Sequence, residues 1–275
     1  MQTLEQKTAA LENILREAKQ MAIAYSGGVD SSLLVALAGK VLGAENVLAV
    51  IGESESLTQS SLDEAVAAAR NWGVEVHVAH TPEMENPNFV QNPPDRCYYC
   101  KSELCRALRH EAETFFGRLT LLADGNQADD ADDYRPGRRA AREAGVRSPL
   151  AEAGFTKADV RALSQQLGIK GSNRPAEACL ASRIPYGTAI TTELLTQIAA
   201  AEKVLRDAGF NGFRVRHHGT IARIEVPPAD ITRLAAMAPT LAAKIRATGY
   251  TYVALDLDGY RTGSLNAVLS KEPLP

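Results

Sequence analysis

Along the first part of the chain, short apolar runs alternate with longer segments whose apolar residues recur at helical spacing. The short runs predict buried strands over residues 21–25, 46–51, 74–79 and 119–123. The longer segments predict helices over 33–42, 57–72, 98–116, 130–144 and 157–167, besides an amphipathic helix at the N-terminus. Strands that alternate with helices predict an α/β fold, a doubly wound parallel sheet with helices on both faces.

The pattern changes after Gly171. Residues 172–187 have no clear periodicity and predict an ordered loop. Beyond the loop, the pattern predicts a helix over 191–208, strands over 213–218, 221–226 and 251–257, and two short helices across 228–247. This order predicts a small α+β domain with an antiparallel sheet. We therefore expect a nucleotide-binding domain over 1–171, a joining loop over 172–190 and a small domain for substrate binding or oligomerisation over 191–275.

The turn after the first predicted strand contains a glycine pair followed by polar residues. Adjacent glycines let backbone N–H groups approach an anion, and the start of a helix adds partial positive charge. Asp30 supplies a carboxylate beside the phosphates, where Mg²⁺ would sit. The Lys-Ser/Thr pair of a Walker loop is missing. The predicted ATP-binding residues of this turn are Ser26, Gly27, Gly28, Asp30, Ser31 and Ser32.

This string resembles the PP-loop of ATP pyrophosphatases, and the resemblance implies cleavage of ATP between its α and β phosphates. Polar residues also follow two further predicted strands. Glu53 and Ser54 follow the second strand, while Asp124 and Asn126 follow the fourth. Because ligands bind at the carboxyl ends of parallel strands, we expect these four residues to line the nucleotide and substrate rim.

Three of the four cysteines are candidates for chemistry. Cys97 and Cys100 lie three positions apart at the start of a predicted helix, where a thiolate is favoured, although two packed thiols are the alternative. Cys105 falls on an apolar helical face and is predicted to be core. Cys179 lies in the irregular loop, four residues from Arg183, and these surroundings favour a reactive thiolate.

Two charged patterns also suggest a ligand. Arg214 and Arg216 alternate on one predicted strand and so face the same side, which suits a phosphate clamp; a surface charge pair is the alternative. An acidic run from Asp129 to Asp133 is typical of a solvated helix start. Asp129 and Asp130 nevertheless lie close enough to the fourth strand to reach a metal or a substrate.

Composition narrows the class of protein. The chain has 275 residues, 45% of them hydrophobic, and a net charge of −3. This balance offers no argument for a nucleic-acid surface, and no apolar run is long enough for a membrane span. The N-terminal helix is amphipathic rather than a signal peptide, so we expect a cytoplasmic protein. Four cysteines in the cytoplasm suggest metal binding, catalysis or packing before disulfides.

Motifs spread over almost the whole chain resemble the LarE family of sulfur transferases. Besides the PP-loop, they are Asn92-Pro93-Pro94-Asp95-Arg96-Cys97-Tyr98-Tyr99-Cys100-Lys101, Asp124-Gly125-Asn126, Asp133-Tyr134-Arg135-Pro136-Gly137, Arg147-Ser148-Pro149-Leu150, the string 175–187 around Cys179, and Asp258-Gly259-Tyr260-Arg261-Thr262-Gly263. The resemblance implies an enzyme that adenylates a carboxylate of pyridinium-3,5-biscarboxylic acid mononucleotide and replaces AMP with sulfur. The thiocarboxylate serves the nickel-pincer nucleotide cofactor of lactate racemase.

The resemblance also implies residue roles. Cys179 takes the place of the family's sulfur donor, which acts through its own side chain or as part of an iron–sulfur cluster. A [4Fe–4S] cluster takes four ligands, and Cys97, Cys100 and Cys179 would supply three. Arg183, Arg214 and Arg216 are the expected substrate-binding residues, and Glu202 falls where the family can bind a metal. We expect a homo-oligomer that uses ATP and Mg²⁺ on a small nucleotide substrate.

Two other classes of protein compete with this interpretation. The first is another PP-loop enzyme, either an amidating synthetase, which has no need of the thiols, or a tRNA thiolase, which would be expected to carry a basic surface. The second is a nucleotide-sensing module with a structural zinc and no catalytic activity. Pyrophosphate release that depends on a carboxylate substrate separates the enzymes from the module.

Overall fold

The computed structural model describes residues 2–57, 59–117, 120–129, 136–169, 179–261 and 263–269. Its strands are β1 (Met21–Ala24), β2 (Val47–Glu53), β3 (Glu75–His80), β4 (Leu121–Asp124), β5 (Arg214–His218), β6 (Ile221–Glu225) and β7 (Tyr252–Leu255). Its helices are α1 (Leu4–Ala18), α2 (Val29–Leu42), α3 (Gln59–Arg70), α4 (Pro87–Val90), α5 (Arg96–Phe116), α6 (Pro136–Glu143), α7 (Pro149–Glu152), α8 (Lys157–Gln166), α9 (Thr192–Asp207) and α10 (Ile231–Arg246).

The chain divides into two compact units. The first comprises Met1–Asn86 and Asp95–Glu177, and the second comprises Pro87–Pro94 and Ala178–Pro275. Residues 87–94, which fall inside the range 1–171 expected for the nucleotide-binding domain, thus pack with the second unit. Among the described residues, no helix is both long and apolar enough to span a membrane.

The first unit is built on a four-stranded parallel sheet in the order β3-β2-β1-β4. Alternate residues of β1 enter different cores, as the two-residue period of a strand requires. Met21 and Ile23 pack with apolar residues of α1 and α2, whereas Ala22 and Ala24 pack with apolar residues of α5. Helices therefore cover both faces, and the predicted doubly wound α/β fold is confirmed.

The strand order places β2 and β3 on one side of β1 and β4 on the other, so the direction in which strands are added reverses at β1. A doubly wound sheet opens its ligand crevice at such a switch point, outside the carboxyl ends of the strands. The register pairs Ala24 at the end of β1 with Asp124 at the end of β4. The glycine turn that follows β1 therefore leaves the sheet at the crevice.

Helix α2 begins at Val29, four residues before the position that the sequence predicts. Asp30, Ser31 and Ser32 interrupt the apolar pattern, and for that reason the prediction of Leu33 was wrong. Polar residues are nevertheless suited to the first turn of a helix, where N–H groups lack intrahelical acceptors. The polar half of the PP-loop is thus helical backbone rather than loop.

The sheet of the second unit has the order β5-β6-β7 and is mixed. Strands β5 and β6 form an antiparallel hairpin, but β6 and β7 are parallel, so the predicted antiparallel sheet was wrong for β7. Helix α10 connects β6 to β7 and carries the chain back to the starting end of the sheet. A crossover of this kind joins parallel neighbours.

Residues 231–246 form one helix instead of the second of two short ones, and only a 3-10 turn at Pro228–Asp230 precedes it. Pro239 lies inside α10, where it removes one backbone hydrogen bond. Leu234, Leu241 and Ile245 are buried on both sides of the proline. Their burial in the core of this unit explains why the helix continues.

A buried asparagine ties residues 87–94 to the second unit. The Asn92 Nδ2 donates hydrogen bonds to the carbonyl oxygens of Pro185 at 2.8 Å and Thr188 at 2.9 Å. Its own carbonyl accepts from the Gly187 nitrogen at 3.0 Å. Asn92 has a φ of 55°, a left-handed conformation that asparagine tolerates better than most residues. These hydrogen bonds and this backbone conformation explain why the motif that begins at position 92 starts with asparagine.

Candidate active site

The PP-loop is held in shape by its own hydroxyl groups. The Ser31 Oγ donates to the Gly28 carbonyl at 3.1 Å and lies 3.2 Å from the Ser26 Oγ. The Ser26 nitrogen donates to the Ser31 Oγ at 3.3 Å. Gly28 is the N-cap of α2. Because glycine has no side chain, the N-cap residue does not occupy the first N–H groups of the helix. Such groups bind phosphate oxygens.

Gly27 is the position in this loop that only glycine fits. Its φ is +72°, and a Cβ added there would lie 2.8 Å from the Cβ of Ala65 on α3. Both the left-handed backbone and the close approach exclude a side chain. The turn therefore lies directly against α3 and has little room to move.

Asp124 is the centre of a polar network at the end of β4. This buried carboxylate accepts hydrogen bonds from the Ser148 Oγ at 2.7 Å and the Asn126 Nδ2 at 2.7 Å. The Lys101 ammonium lies 3.4 Å from it. The structure thus brings the predicted residues Asp124 and Asn126 together beside the strand that leads into the PP-loop.

Sequence reasoning missed Lys101 and Ser148 as members of this network. Lys101 lies on α5 within the motif around the cysteine pair, and Ser148 lies 24 positions from Asp124 in the chain. The signal was that a lysine and a serine occur inside two of the LarE-like motifs. Which carboxylate they contact depends on the packing of α5 on the sheet.

Glu53 and Ser54 lie at a cleft of about 280 Å³ at the carboxyl ends of β2 and β3. The Ser54 Oγ is 2.9 Å from the Ser56 Oγ, which donates to the buried Glu83 at 2.5 Å. These bonds fix one wall of the cleft. The lining residues are Glu53, Ser54, Glu55, Leu57, Gln59, Leu62 and His80.

The cysteine pair lies on the first turn of α5. Cys97 is exposed and Cys100 is half-buried, and neither forms a disulfide bond. The turn packs closely against α6, since a Cβ added at Gly137 would lie 3.3 Å from the Cys97 carbonyl oxygen. Among the described residues, no group of three or more His, Cys, Asp or Glu side chains is arranged to hold a metal. The pair thus offers two ligands at a helix start.

Cys105 is core, as predicted. It is 2% exposed and packs with Leu108 and Ala112 on the face of α5 that meets the sheet. Burial raises the pKa of its thiol, which disfavours a thiolate.

Asp129, from the acidic run, accepts a hydrogen bond from the Lys157 backbone nitrogen at 2.8 Å and so caps the start of α8. The rest of that run, Asp130 to Asp133, lies outside the described residues.

Among the described residues of the second unit, three arginines are buried. Arg214 and Arg216 are 7% and 6% exposed on β5, so the alternative of a surface charge pair is wrong. Arg216 donates through Nε and Nη2 to the Glu225 Oε2 at 3.0 and 2.9 Å. Arg183 makes a second pair, donating to both carboxylate oxygens of Glu202 at 2.7 and 3.0 Å.

Arg214 lies within the same cluster. Its guanidinium is 4.9 Å from the centre of the Tyr260 ring, and its Nη1 donates to the Phe213 carbonyl at 2.6 Å. Burial lowers the pKa of Arg214, and the charge of Arg183 lowers it further. In this described cluster, three buried guanidiniums accompany two buried carboxylates, Glu202 and Glu225. Guanidinium groups are suited to binding phosphate oxygens.

Sequence reasoning missed both ion pairs and Glu225 altogether. Glu225 is the last residue of β6 and is opposite Arg214 in the register of β5 and β6. That position was the available signal. The metal role predicted for Glu202 stays a prediction, because in the structure both of its oxygens accept from Arg183.

The chain is similar to a protein family and to several individual proteins. A family model described as NAD synthase matches residues 3–91. The pyridinium-3,5-bisthiocarboxylic acid mononucleotide synthase of Lactiplantibacillus plantarum is 40% identical over 274 residues, which cover 100% of this chain and 99% of that one. An uncharacterized protein of Synechocystis sp. is 43% identical over 270 residues, with 98% and 100% coverage.

A shorter match is the NH(3)-dependent NAD(+) synthetase of Methanopyrus kandleri, 42% identical over 62 residues, or 22% of each chain. A glycine turn at the switch point of a parallel sheet, together with these matches, defines an enzyme of the PP-loop ATP pyrophosphatase class. Within that class, the chain belongs to the LarE family, the family of the Lactiplantibacillus plantarum synthase. The family resemblance carried by the motifs is thereby confirmed.

Proposed function

We propose that this protein is an ATP-dependent sulfur transferase that converts carboxylates of pyridinium-3,5-biscarboxylic acid mononucleotide into thiocarboxylates. The product would serve the nickel-pincer nucleotide cofactor of lactate racemase. The observation that carries the proposal is that one chain holds both a PP-loop at a switch point and a buried arginine cluster beside Cys179. A relative that is similar over the whole chain and is named for the bisthiocarboxylic acid product supports it.

The first step is adenylation at the PP-loop. A carboxylate is a poor electrophile, because it carries negative charge and lacks a leaving group. Its oxygen attacks the α-phosphorus of ATP, the bond between that phosphorus and the bridging oxygen breaks, and pyrophosphate leaves. We propose that the N–H groups at the start of α2 and the hydroxyls of Ser26 and Ser31 stabilise the charge that develops on the phosphates.

The second step transfers sulfur. The Cys179 thiolate attacks the acyl carbon, AMP leaves, and a thioester forms. Loss of the Cys179 Cα proton to solvent and cleavage of its Cβ–S bond then release the thiocarboxylate and leave dehydroalanine. In the alternative, the attacking sulfur is a sulfide and Cys179 retains its own sulfur.

Arg214 and Arg216 are proposed to bind the phosphate of the substrate. Both side chains project from the same face of β5, and both are buried. A buried guanidinium stays protonated and gains strongly from an anionic partner, because the low dielectric strengthens the interaction.

Asp30 is proposed to hold Mg²⁺ beside the phosphates. Asp30 lies on the first turn of α2, the helix whose N-terminus is proposed to bind the phosphates, and carboxylate oxygens are ligands that Mg²⁺ prefers. The metal would neutralise the charge of the departing pyrophosphate. The adenosine part of ATP is proposed to enter the cleft at Glu53 and Ser54.

An iron–sulfur cluster on Cys97, Cys100 and Cys179 also remains a proposal, and it rests on the sequence pattern. The described residues hold no ready group of three metal ligands, so we derive no step through a cluster. Oligomeric state likewise rests on the sequence-based expectation of a homo-oligomer.

The test combines ATP, Mg²⁺ and the dicarboxylate mononucleotide with the wild-type protein and with Cys179→Ala. Pyrophosphate release that requires the mononucleotide, together with thiocarboxylate formation lost only in the variant, supports the proposal. An amidating synthetase would instead consume ammonia and tolerate Cys179→Ala, and a tRNA thiolase would turn over only with tRNA. A nucleotide-sensing module would bind ATP and release no pyrophosphate.

A further inference from the structure

The 3-10 turn that follows Cys179 covers residues Leu180–Arg183 and carries polar groups into the interior of the second unit. Its first hydrogen bond runs from the Ser182 nitrogen to the Cys179 carbonyl at 3.0 Å. Cys179 itself is half-buried. The position of its thiol therefore depends on what holds the backbone of this turn.

Arg183 holds the start of the turn. Its Nη1 donates to the Cys179 carbonyl at 3.1 Å and to the Ser182 Oγ at 3.0 Å. Its Nε and Nη2 donate to the two oxygens of Glu202. The guanidinium has five N–H donors in a planar fork, so a carboxylate on one edge fixes the direction of the other edge. Arg183 is thereby aimed at the backbone of Cys179.

Arg216 holds the end of the turn in the same manner. Its Nη1 donates to the Ser182 carbonyl at 2.8 Å, while Nε and Nη2 donate to the Glu225 Oε2. Glu202 in turn accepts from the Val215 nitrogen at 3.1 Å, which ties α9 to β5. Two carbonyls of the turn are thus bound by arginines that are each oriented by a buried carboxylate.

We propose that Glu202 is a positioning residue for sulfur transfer: it orients Arg183, which fixes the backbone of Cys179 so that the thiol can reach an acyl adenylate. This inference rests on the proposed role of Cys179 as the sulfur-bearing residue. It assigns Arg183 to the protein's own backbone instead of the substrate. It also gives Glu202 an arginine partner in place of the metal that the family resemblance implied.

The proposal is tested with the full-length protein and three variants. Glu202→Gln removes the charge that orients Arg183. Because a buried arginine without its carboxylate can prevent folding, the paired variant Arg183→Met/Glu202→Leu removes both charges together. The matched control is Lys203→Ala/Asp207→Ala, an exposed ion pair of 2.7 Å on the same helix.

Three quantities are measured: pyrophosphate released, thiocarboxylate formed, and the rate at which iodoacetamide alkylates Cys179 between pH 6 and 10. Misplacement of a reacting group by about 1 Å can cost on the order of a hundredfold in rate. We expect the ratio of thiocarboxylate to pyrophosphate to fall by about 10- to 100-fold in both Glu202 variants. The alkylation profile should change with it, and the control should match the wild type.

Sulfur transfer at the wild-type ratio in the folded paired variant overturns the inference. Rescue of Glu202→Gln by raised Mg²⁺ also overturns it, since a metal ligand would behave in that way. Neither result touches the proposed function, which fails instead if the wild-type protein releases no pyrophosphate with the mononucleotide or if Cys179→Ala still forms thiocarboxylate.

Discussion

A Cβ added to Gly125, the residue after β4, would lie 2.7 Å from the backbone nitrogen of Ser31 on the first turn of α2. The two segments that flank the switch point are therefore in direct backbone contact. Atoms other than hydrogen-bonded pairs do not approach so closely, and the backbone nitrogen of Ser31 cannot rotate away as a side chain could. Glycine at position 125 is what allows β4 to end beside the PP-loop.

Gly125→Ala should displace the first turn of α2 and lower ATP-to-pyrophosphate turnover by about 10-fold or more, because phosphate-binding N–H groups lose their alignment. The free energy of unfolding should fall by about 1–3 kcal/mol from the added crowding. Turnover and urea unfolding measure the two effects. Gly145→Asn is the control, since Gly145 has a φ of +72° and nothing within 4 Å of an added Cβ. Equal turnover in both variants would contradict the alignment argument.

Asp30→Ala should abolish carboxylate-dependent pyrophosphate release, because the phosphates lose the proposed Mg²⁺ ligand. The fold should persist, since Asp30 is not part of the apolar cores of the first unit. Pyrophosphate release and circular dichroism are the measurements, with Asp207→Ala on the exposed side of α9 as the control. A folded Asp30→Ala protein with wild-type turnover would refute the metal role.

Arg214→Met should weaken binding of the mononucleotide by about 10-fold or more while ATP binding changes little, because a charge-assisted contact to phosphate is lost. Arg214 is preferred to Arg216 for this test, because removal of Arg216 would also take away an ion-pair partner of the buried Glu225 carboxylate. Calorimetric titration with the mononucleotide and with its dephosphorylated form makes the comparison. If the variant loses equal affinity for both, Arg214 does not bind the phosphate.

A salt bridge between α1 and α8 should make stability depend on pH. The Lys7 ammonium, 2.6 Å away, and the Thr156 hydroxyl lower the pKa of Asp159 to about 2. Since the unfolded chain protonates aspartate near pH 3.9, the contribution is complete above about pH 4 and is lost as the pH falls toward 2.

Asp159→Asn should therefore lower the free energy of unfolding at neutral pH by about 1–2 kcal/mol, an amount that allows for partial solvent screening. The difference from the wild type should shrink between pH 4 and pH 2. Urea unfolding across this range is the measurement, and Asp63→Asn, on an exposed carboxylate of α3, is the control. A constant difference down to pH 2 would show that the loss is not electrostatic.

The parallel sheet could be predicted because its signal is local. All four residues of β1 are buried, and a short strand buried on both faces has to be a continuous apolar run. The PP-loop was equally accessible, since its glycines and hydroxyls are consecutive. The start of α2 could not be predicted, because the polar first turn of a helix resembles a loop when apolar periodicity is the only criterion.

Contacts between distant parts of the chain could not be predicted. Lys101 meets Asp124 only after α5 packs on the sheet, and Arg183 meets Glu202 only after α9 packs against the turn that carries Arg183. Apolar periodicity predicts which face of α9 is buried. It does not predict that Glu202 lies on that face and pairs with Arg183. The parallel placement of β7 likewise depends on the crossover through α10, which a four-residue strand does not reveal.

The measurement that tests the central claim most directly is mass spectrometry of both protein and product after anaerobic turnover with ATP, Mg²⁺ and the dicarboxylate mononucleotide. We predict a product in which sulfur replaces a carboxylate oxygen, formed together with AMP and pyrophosphate. A protein lighter by the mass of H₂S at Cys179 would identify that residue as the source of the sulfur, whereas an intact thiol with bound iron and repeated turnover would indicate a cluster. Pyrophosphate release without any sulfur in the product, or a thiocarboxylate formed by Cys179→Ala, would contradict the account.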